Sequence, residues 1–293
     1  EEVEEVEEVE EVEEVEEVEE VKEVEEVKEV ENKKNIASFT QTYGNERWTE
    51  ILLQKYDKMG QYLRNQCDII VFSFHNCPQE FIDKSKDYIS SIYDKNKLRF
   101  LEYNNMEYLY SIRNTLDYFK KEGVTDILFM NDDEYMLNNI NNIKNIKNID
   151  KIFNFYKNND IKWFNFYGLE NIPQNKKDKK SIKVNDTLTI YCFSTLDYKK
   201  DNLYAWSQTT SLYNIDFCLD LYNNKLPENS WNIEDTFSYY FHNNDFDRWG
   251  CNMELIRAIN LHGKNLSTLS LYDNLKRFFL NYEEIYKVIE EET

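Results

Sequence analysis

From Ile36 onward, short and almost wholly apolar runs alternate with longer runs that are apolar on one side only. A short continuous apolar run suits a strand buried on both faces, and the amphipathic run after it suits a helix laid over the sheet. Repeated, the pair predicts β-α-β units and a mainly parallel sheet. The pattern predicts strands over 36–42 (IASFTQT), 67–74 (CDIIVFSF), 98–103 (LRFLEY) and 125–131 (TDILFMN). Between them it predicts helices over 46–64, where Trp48, Ile51, Leu52, Tyr56, Met59 and Leu63 fall near helical spacing, over 81–93, and over 106–123, the last stopped by Gly123. That order of strands and helices is the one expected of a nucleotide-binding α/β half.

The second half alternates less regularly. Its pattern predicts a helix over 140–158, a strand over 161–168, an exposed lysine-rich loop over 174–181, a strand over 187–195, and helices over 211–224 and 233–244. Strands mixed with helices in this way imply a second lobe built on the same sheet. The expected division is therefore an arm over 1–34 and one α/β domain over 35–293, with a nucleotide half over 35–137 and a second half over 138–293.

The arm repeats Glu-Glu-Val, with Val at every third position from Val3 to Val30. A helix turns about 100° per residue, so a three-residue repeat smears the valines around every face and leaves no seam for a coiled coil. A solvated helix or a disordered arm is expected, with an acidic tether as the lesser alternative. Residues 1–31 hold 19 Glu and 2 Lys, a charge of −17, so the net −21 of the chain leaves only −4 for the rest. A body this close to neutral, with no basic stripe, argues against nucleic acid as the main partner. No apolar run reaches the roughly 20 residues that span a bilayer, and no signal segment opens the chain, so a cytoplasmic location is expected. The chain begins on Glu rather than Met, as a piece of a longer polypeptide would. Cys67, Cys77, Cys192, Cys218 and Cys251 are scattered, without the close pairs of a zinc site or a disulfide framework, and are expected as buried thiols.

Two strings carry candidate chemistry. In the first, the apolar run Asp126–Met130 leads directly into Asn131, Asp132, Asp133 and Glu134. In open α/β sheets ligands bind at the carboxyl ends of strands, and two or three carboxylates suit Mg²⁺ or Mn²⁺ that also holds a diphosphate. Neighbouring strand residues point to opposite faces, so Asp132 and Asp133 can share one ion only where the strand gives way to a turn. A solvated loop with a helix cap fits the same residues equally well. In the second string, Trp231 stands shortly before Glu234 and Asp235. A carboxylate there can take a proton from an attacking hydroxyl; a helix start with acids near its N-terminus is the alternative.

The stretch 111–136, in which a helix bearing Arg113 and Asn114 is followed by an apolar strand and an acidic cluster, resembles the donor-binding half of GT-A glycosyltransferases. The likeness is one of pattern over about 36–137, weaker to about 271. It implies a GT-A, Rossmann-like α/β fold with a mixed acceptor lobe. Carried over, Asp133 matches the last acid of the Asp-x-Asp type motif and would hold Mn²⁺ or Mg²⁺. Asp132 would meet the metal or the donor ribose, and Asn131 stands where the motif's first Asp is usual. Thr40, Gln41, Thr42, Tyr43 and Arg47 match the nucleotide-binding end of the first strand. Ser73 and His75 follow the second strand, where many relatives carry a base-contacting Asp, and His75 and His242 are expected to be ordinary packing or surface residues. Arg113 and Asn114 match the helix lining the donor pocket. Glu234 and Asp235 resemble the acceptor-side acids of inverting members, with Asp235 as the base, and Trp231, Trp206 and Tyr204 as acceptor platforms. His262, followed by Gly263 and Lys264, is similar to a third metal ligand of some members.

The activity implied is transfer of a sugar from a nucleotide-diphosphate donor to a glycan or glycoprotein acceptor. The alternatives are a noncatalytic carbohydrate-binding or scaffold protein and a sugar nucleotidyltransferase. The latter needs a glycine-rich basic loop after its first strand, where this chain has only Gly44. A phosphate-binding P-loop is disfavoured, because Gly263-Lys264-Asn265 lacks the upstream Gly and the final Ser or Thr. A carboxylate-pair glycosidase using Asp133 and Asp235 would leave the nucleotide-type half unexplained.

Overall fold

A computed structural model of the chain describes residues 34–42, 58–131, 134–136, 140–166, 179–200, 210–224, 233–252 and 256–258. The repeat arm, Tyr43, Arg47, Asp132, Asp133, Tyr204, Trp206, Trp231 and His262 lie outside the described residues. The strands are β1 (Ile36–Thr42), β2 (Ile69–His75), β3 (Leu98–Tyr103), β4 (Asp126–Asn131), β5 (Glu134–Met136), β6 (Trp163–Asn165), β7 (Lys180–Lys183), β8 (Thr189–Ser194), β9 (Ser211–Asn214), β10 (Asp247–Cys251) and β11 (Ile256–Ala258). The helices are α1 (Lys58–Asn65), α2 (Gln79–Ile92), α3 (Tyr108–Lys121), α4 (Ile140–Lys157), α5 (Thr195–Lys200), α6 (Ile215–Asn224) and α7 (Ile233–His242).

The main sheet has nine strands in the order β3-β2-β1-β4-β9-β6-β10-β8-β7, and β5 pairs with β11 in a separate ribbon. Strands β1 to β4 are mutually parallel. Strand β9 runs against both β4 and β6, while β10 runs with β6 and against β8. Only β8 and β9 therefore point the other way, and β4 is central, as its apolar sequence predicts.

Alternation along β1 assigns each face its partner. Ala37 and Phe39, with Val71, Ile127 and Phe129, pack on α3, α6 and α7. On the opposite face Ile36, Leu128 and Met130 pack with Leu63 of α1 and Ile149, Ile152 and Tyr156 of α4. Ile70, Phe72 and Phe74 pack there with Ile82 and Ile89 of α2. The chain thus winds from β1 through β2 to β3 over one face, then crosses back over the other face to place β4 on the far side of β1.

Two expected elements are corrected. The run 211–224 is not a single helix: Ser211–Asn214 is β9, fully inside the sheet, and the helix begins at Ile215. The side chain of Asn214 caps it by accepting from the N–H of Phe217 (3.2 Å), a local bond that favours a helix start over a helix interior. The lysine-rich loop also ends earlier than expected, because Lys180–Lys183 forms β7, an edge strand. Lysines along an edge discourage pairing with another chain.

Candidate functional site

The winding creates one place where crossovers leave in opposite directions, between β1 and β4. In open α/β sheets the crevice beyond the carboxyl ends of such strands is where ligands bind. Asn131 ends β4 there, in register with Gln41, which is in register with Ser73 on the other side. Asp132 and Asp133 follow Asn131 directly in sequence. The strands before and after them, β4 and β5, belong to different sheets.

Side chains along this edge are polar although they are buried. Gln41 Nε2 donates to Ser111 Oγ (2.7 Å), and Ser111 Oγ donates to the carbonyl of Tyr108 (2.6 Å), joining β1 to the first turns of α3. Thr115 Oγ1 donates to the Tyr103 hydroxyl (3.1 Å) at the end of β3. Burial raises the Tyr103 pKa above its ordinary 10.0, against the opposing effect of that hydrogen bond. Among the described residues, Gln41 Oε1, Thr42 Oγ1 and Ser73 Oγ are buried without a hydrogen-bond partner. Buried polar atoms in native proteins are nearly always paired, so three orphans at the ends of β1 and β2 mark where the protein's own groups do not complete the bonding.

Thr40 has a different role from its neighbour. Its hydroxyl points to the α1 and α2 face and accepts from Arg64 Nε (3.1 Å). Arg64 is itself buried, donates from Nη1 to the Tyr93 hydroxyl (3.1 Å) and lies over the Phe72 ring (5.1 Å). Nothing in the sequence spacing singles out this guanidinium, which reads as an ordinary helix charge until the fold places it under β1.

His75 is buried at the end of β2, as a packing residue: Nε2 donates to the carbonyl of Met106 (2.6 Å), and its ring meets Tyr108 edge-on. Asn76 holds a left-handed conformation (φ 50°) and ties the loop after β2 to the loop after β3. Its N–H donates to Tyr103 O (2.8 Å), its amide donates to Met106 O (3.2 Å), and its Oδ1 accepts from the N–H of Asn105 (2.8 Å). Arg113 is half-buried and Asn114 exposed on the second turn of α3, with Asn114 Nδ2 donating to Met106 Sδ (3.2 Å). Among the described residues Arg113 has no hydrogen-bond or ion-pair partner.

Strand direction also fixes the second constellation. Strand β10 is parallel to β6, which is antiparallel to β9 as β4 is, so β10 and β4 share a direction. Helix α7 ends at His242 and β10 begins at Asp247. Its C-terminus therefore lies at the sheet edge where β10 starts, and its N-terminus at the edge where β4 ends. Aromatic packing agrees: Phe241 meets Trp163, the first residue of β6 (5.3 Å), and Phe237 meets Tyr222, near the end of α6 (5.4 Å). Glu234 and Asp235 thus stand at the same edge as Asn131, with Asp235 exposed.

Strand order, register and helix placement define the class as a GT-A-like α/β fold: a Rossmann-like parallel half extended by a mixed lobe. No protein-family model matches the chain, and no curated protein matches it. Among solved structures it is similar to a 4-diphosphocytidyl-2C-methyl-D-erythritol synthase from Anaerococcus prevotii, with 13% identity over 70% of this chain and 82% of that one, at a TM-score of 0.36. It is similar to a UDP-glucose pyrophosphorylase complexed with UDP-glucose, with 10% identity over 74% of this chain and 90% of that one, at a TM-score of 0.42. It is also similar to S. aureus TarS, with 15% identity over 83% of this chain but only 39% of that one, at a TM-score of 0.44.

Proposed function

We propose that this chain is a metal-dependent glycosyltransferase that moves a sugar, with inversion, from a nucleotide-diphosphate donor to a hydroxyl of a glycan or glycoprotein. The observation that carries the reading is a coincidence of topology with sequence. The winding reverses between β1 and β4, and there the strand runs into Asn131, Asp132 and Asp133, while α7 brings Glu234 and Asp235 to the same edge.

The donor's nucleotide is assigned to the ends of β1 and β2, where Gln41, Thr42 and Ser73 have unsatisfied polar atoms, with Tyr43 and Arg47 following β1. Arg113 and Asn114 flank it from α3. Asp132 and Asp133, with His262, are assigned to Mg²⁺ or Mn²⁺; the two carboxylates follow β4 directly in sequence, and oxygen donors suit these hard cations. Bound there, the ion supplies Lewis-acid neutralisation of the leaving diphosphate. Asp235 takes the proton of the acceptor hydroxyl as that oxygen bonds to the anomeric carbon and the bond to the diphosphate oxygen breaks. Glu234 and Trp231, with Trp206, are assigned to holding the acceptor.

Turnover of nucleotide sugars with Mn²⁺ tests the reading. Asp133→Asn is expected to abolish metal-dependent turnover with the fold intact, and Asp235→Asn to cut transfer by at least about a hundredfold while sparing donor binding. Full activity in Asp133→Asn would refute the metal assignment. Loss of donor binding in Asp235→Asn would remove that residue from the role of base. Release of pyrophosphate from a nucleoside triphosphate and a sugar phosphate would make the protein a nucleotidyltransferase instead.

A further inference from the structure

Helix α7 carries an aromatic residue that the packing does not use. Tyr239 is 73% exposed, against 51% for Tyr110 and 36% for Leu196, the other exposed large hydrophobics among the described residues. Its hydroxyl and ring meet no hydrogen-bond or aromatic partner among the described residues. Its neighbours do the opposite: Phe237, Tyr240 and Phe241 are locked into rings of Tyr222, Phe246 and Trp163 at 5.3 to 5.7 Å. The rotation of α7 about its axis is therefore fixed, and Tyr239 is held outward on a rigid element.

Asp235 lies four residues before Tyr239, so both occupy one face of the helix. Helical side chains lean toward the N-terminus, which tilts the Tyr239 ring over the turn that carries Asp235 and toward the edge where β4 ends. Asp235 is exposed too and has no partner among the described residues. An amphipathic ring one helical turn from an exposed carboxylate complements a sugar: the ring covers the apolar C–H face, and the carboxylate accepts from the hydroxyls at the rim.

We infer that Tyr239 and Asp235 form a sugar subsite on the outer face of α7, which takes a pyranose ring of the acceptor glycan. The inference rests on the glycosyltransferase reading and adds to it the acceptor's class and a specificity-determining residue. A platform already rigid loses little freedom on binding, which favours affinity.

The test is saturation-transfer NMR with cello-, malto- and chito-oligosaccharides on the wild type, Tyr239→Ala, Tyr239→Trp and Tyr110→Ala, with melting temperatures as a check on folding. One of these glycans is expected to bind the wild type, to bind Tyr239→Ala roughly tenfold more weakly, and to bind Tyr239→Trp and Tyr110→Ala as it binds the wild type. Equal binding to Tyr239→Ala, or no glycan bound by the wild type, would overturn the subsite. Nucleotide-sugar binding, followed in the same samples, separates the two failures: if it persists while glycan binding is absent, the subsite alone falls, and if it too is absent, the glycosyltransferase reading falls first.

Discussion

Asp126 is a carboxylate sealed under the start of β4, only 1% exposed, and two of its three partners come from distant parts of the chain. Tyr156 of α4 donates its hydroxyl to Oδ1 (2.6 Å), Thr125 donates to Oδ2 (2.7 Å), and Lys34 stands 3.7 Å from Oδ1 with its ammonium over the Tyr156 ring (3.9 Å). The group lies at the edge opposite the candidate site, so it bears on stability and not on chemistry. Removing one donor leaves a buried charge short of a bond, which costs more than the bond itself contributes. Tyr156→Phe is therefore expected to lower unfolding free energy by about 1–3 kcal/mol, read by urea denaturation. Asn76 makes a comparable claim on backbone conformation. Its left-handed φ disfavours residues with a Cβ, and its side chain bridges two loops. Asn76→Gly keeps the conformation and loses the bridge, whereas Asn76→Ala loses both. The expected order of melting temperatures is wild type, then Gly, then Ala.

Helix ends show which signals decide an element. Helix α3 closes with Gly123 at φ 73°, its N–H donating to Lys120 O (3.3 Å), while the N–H of Val124 donates to Phe119 O (3.0 Å). This paired closure needs a left-handed residue, and Val124 and Phe119 bury together beneath it. Gly123→Ala is expected to cost roughly 1 kcal/mol in unfolding free energy, although a Cβ there would meet nothing within 4 Å. That stop was legible because glycine announces it. The boundary between β9 and α6 was not: the apolar residues of SLYNIDFCLDLYNN continue across it without Gly or Pro, and four strand residues are too few for a period to emerge. The available signal was Asn214 followed by Asp216, a cap and a first-turn acid. Asn214→Ala is expected to cost about 1 kcal/mol, since the same amide also donates to Thr125 O (3.3 Å). The three-residue strands β5 and β11 left no readable pattern either, yet their ribbon begins directly after Asp133.

At the scale of the whole molecule, the parallel half was legible because each strand and helix repeats its own period over several residues. The candidate site was legible only as two separate acidic strings. That Asn131, at the end of β4, and Asp235, at the start of α7, stand at one edge follows from strand directions that pairing alone reveals, as do the polar floor of Gln41, Ser73 and Ser111 and the buried Arg64. All five cysteines are free and buried, as expected. No helix among the described residues is long and apolar enough to cross a membrane. Burial keeps several acids protonated in the folded state. Tyr156 and Tyr222 are raised well above 10.0, Cys67 and Cys218 above 9.0, and Cys192 up to about 12. The unfolded chain loses these protons first, so their stabilisation is complete below the ordinary values and is lost as pH climbs from about 9. Lys34 opposes the trend: burial outweighs Asp126 and lowers its pKa, so its share improves toward 10.5. One group does not reverse the sign against these and the likewise raised Tyr62, Tyr103 and Tyr198, and urea midpoints are expected to fall steadily between about pH 9 and pH 11.

The proposed donor site lies at the carboxyl ends of β1 and β4 and would be completed by a divalent cation. Thermal shift with UDP-, GDP-, CMP- and dTDP-sugars, each with and without Mn²⁺, on the wild type and Asp133→Asn tests it most directly. A saturating ligand adds roughly 2.7 kcal/mol at a hundred times its dissociation constant, a few degrees in a domain of this size. One nucleotide class is expected to raise the wild-type melting temperature only with Mn²⁺ and to leave Asp133→Asn unmoved. No shift with any donor, or the same shift in the variant, would contradict it.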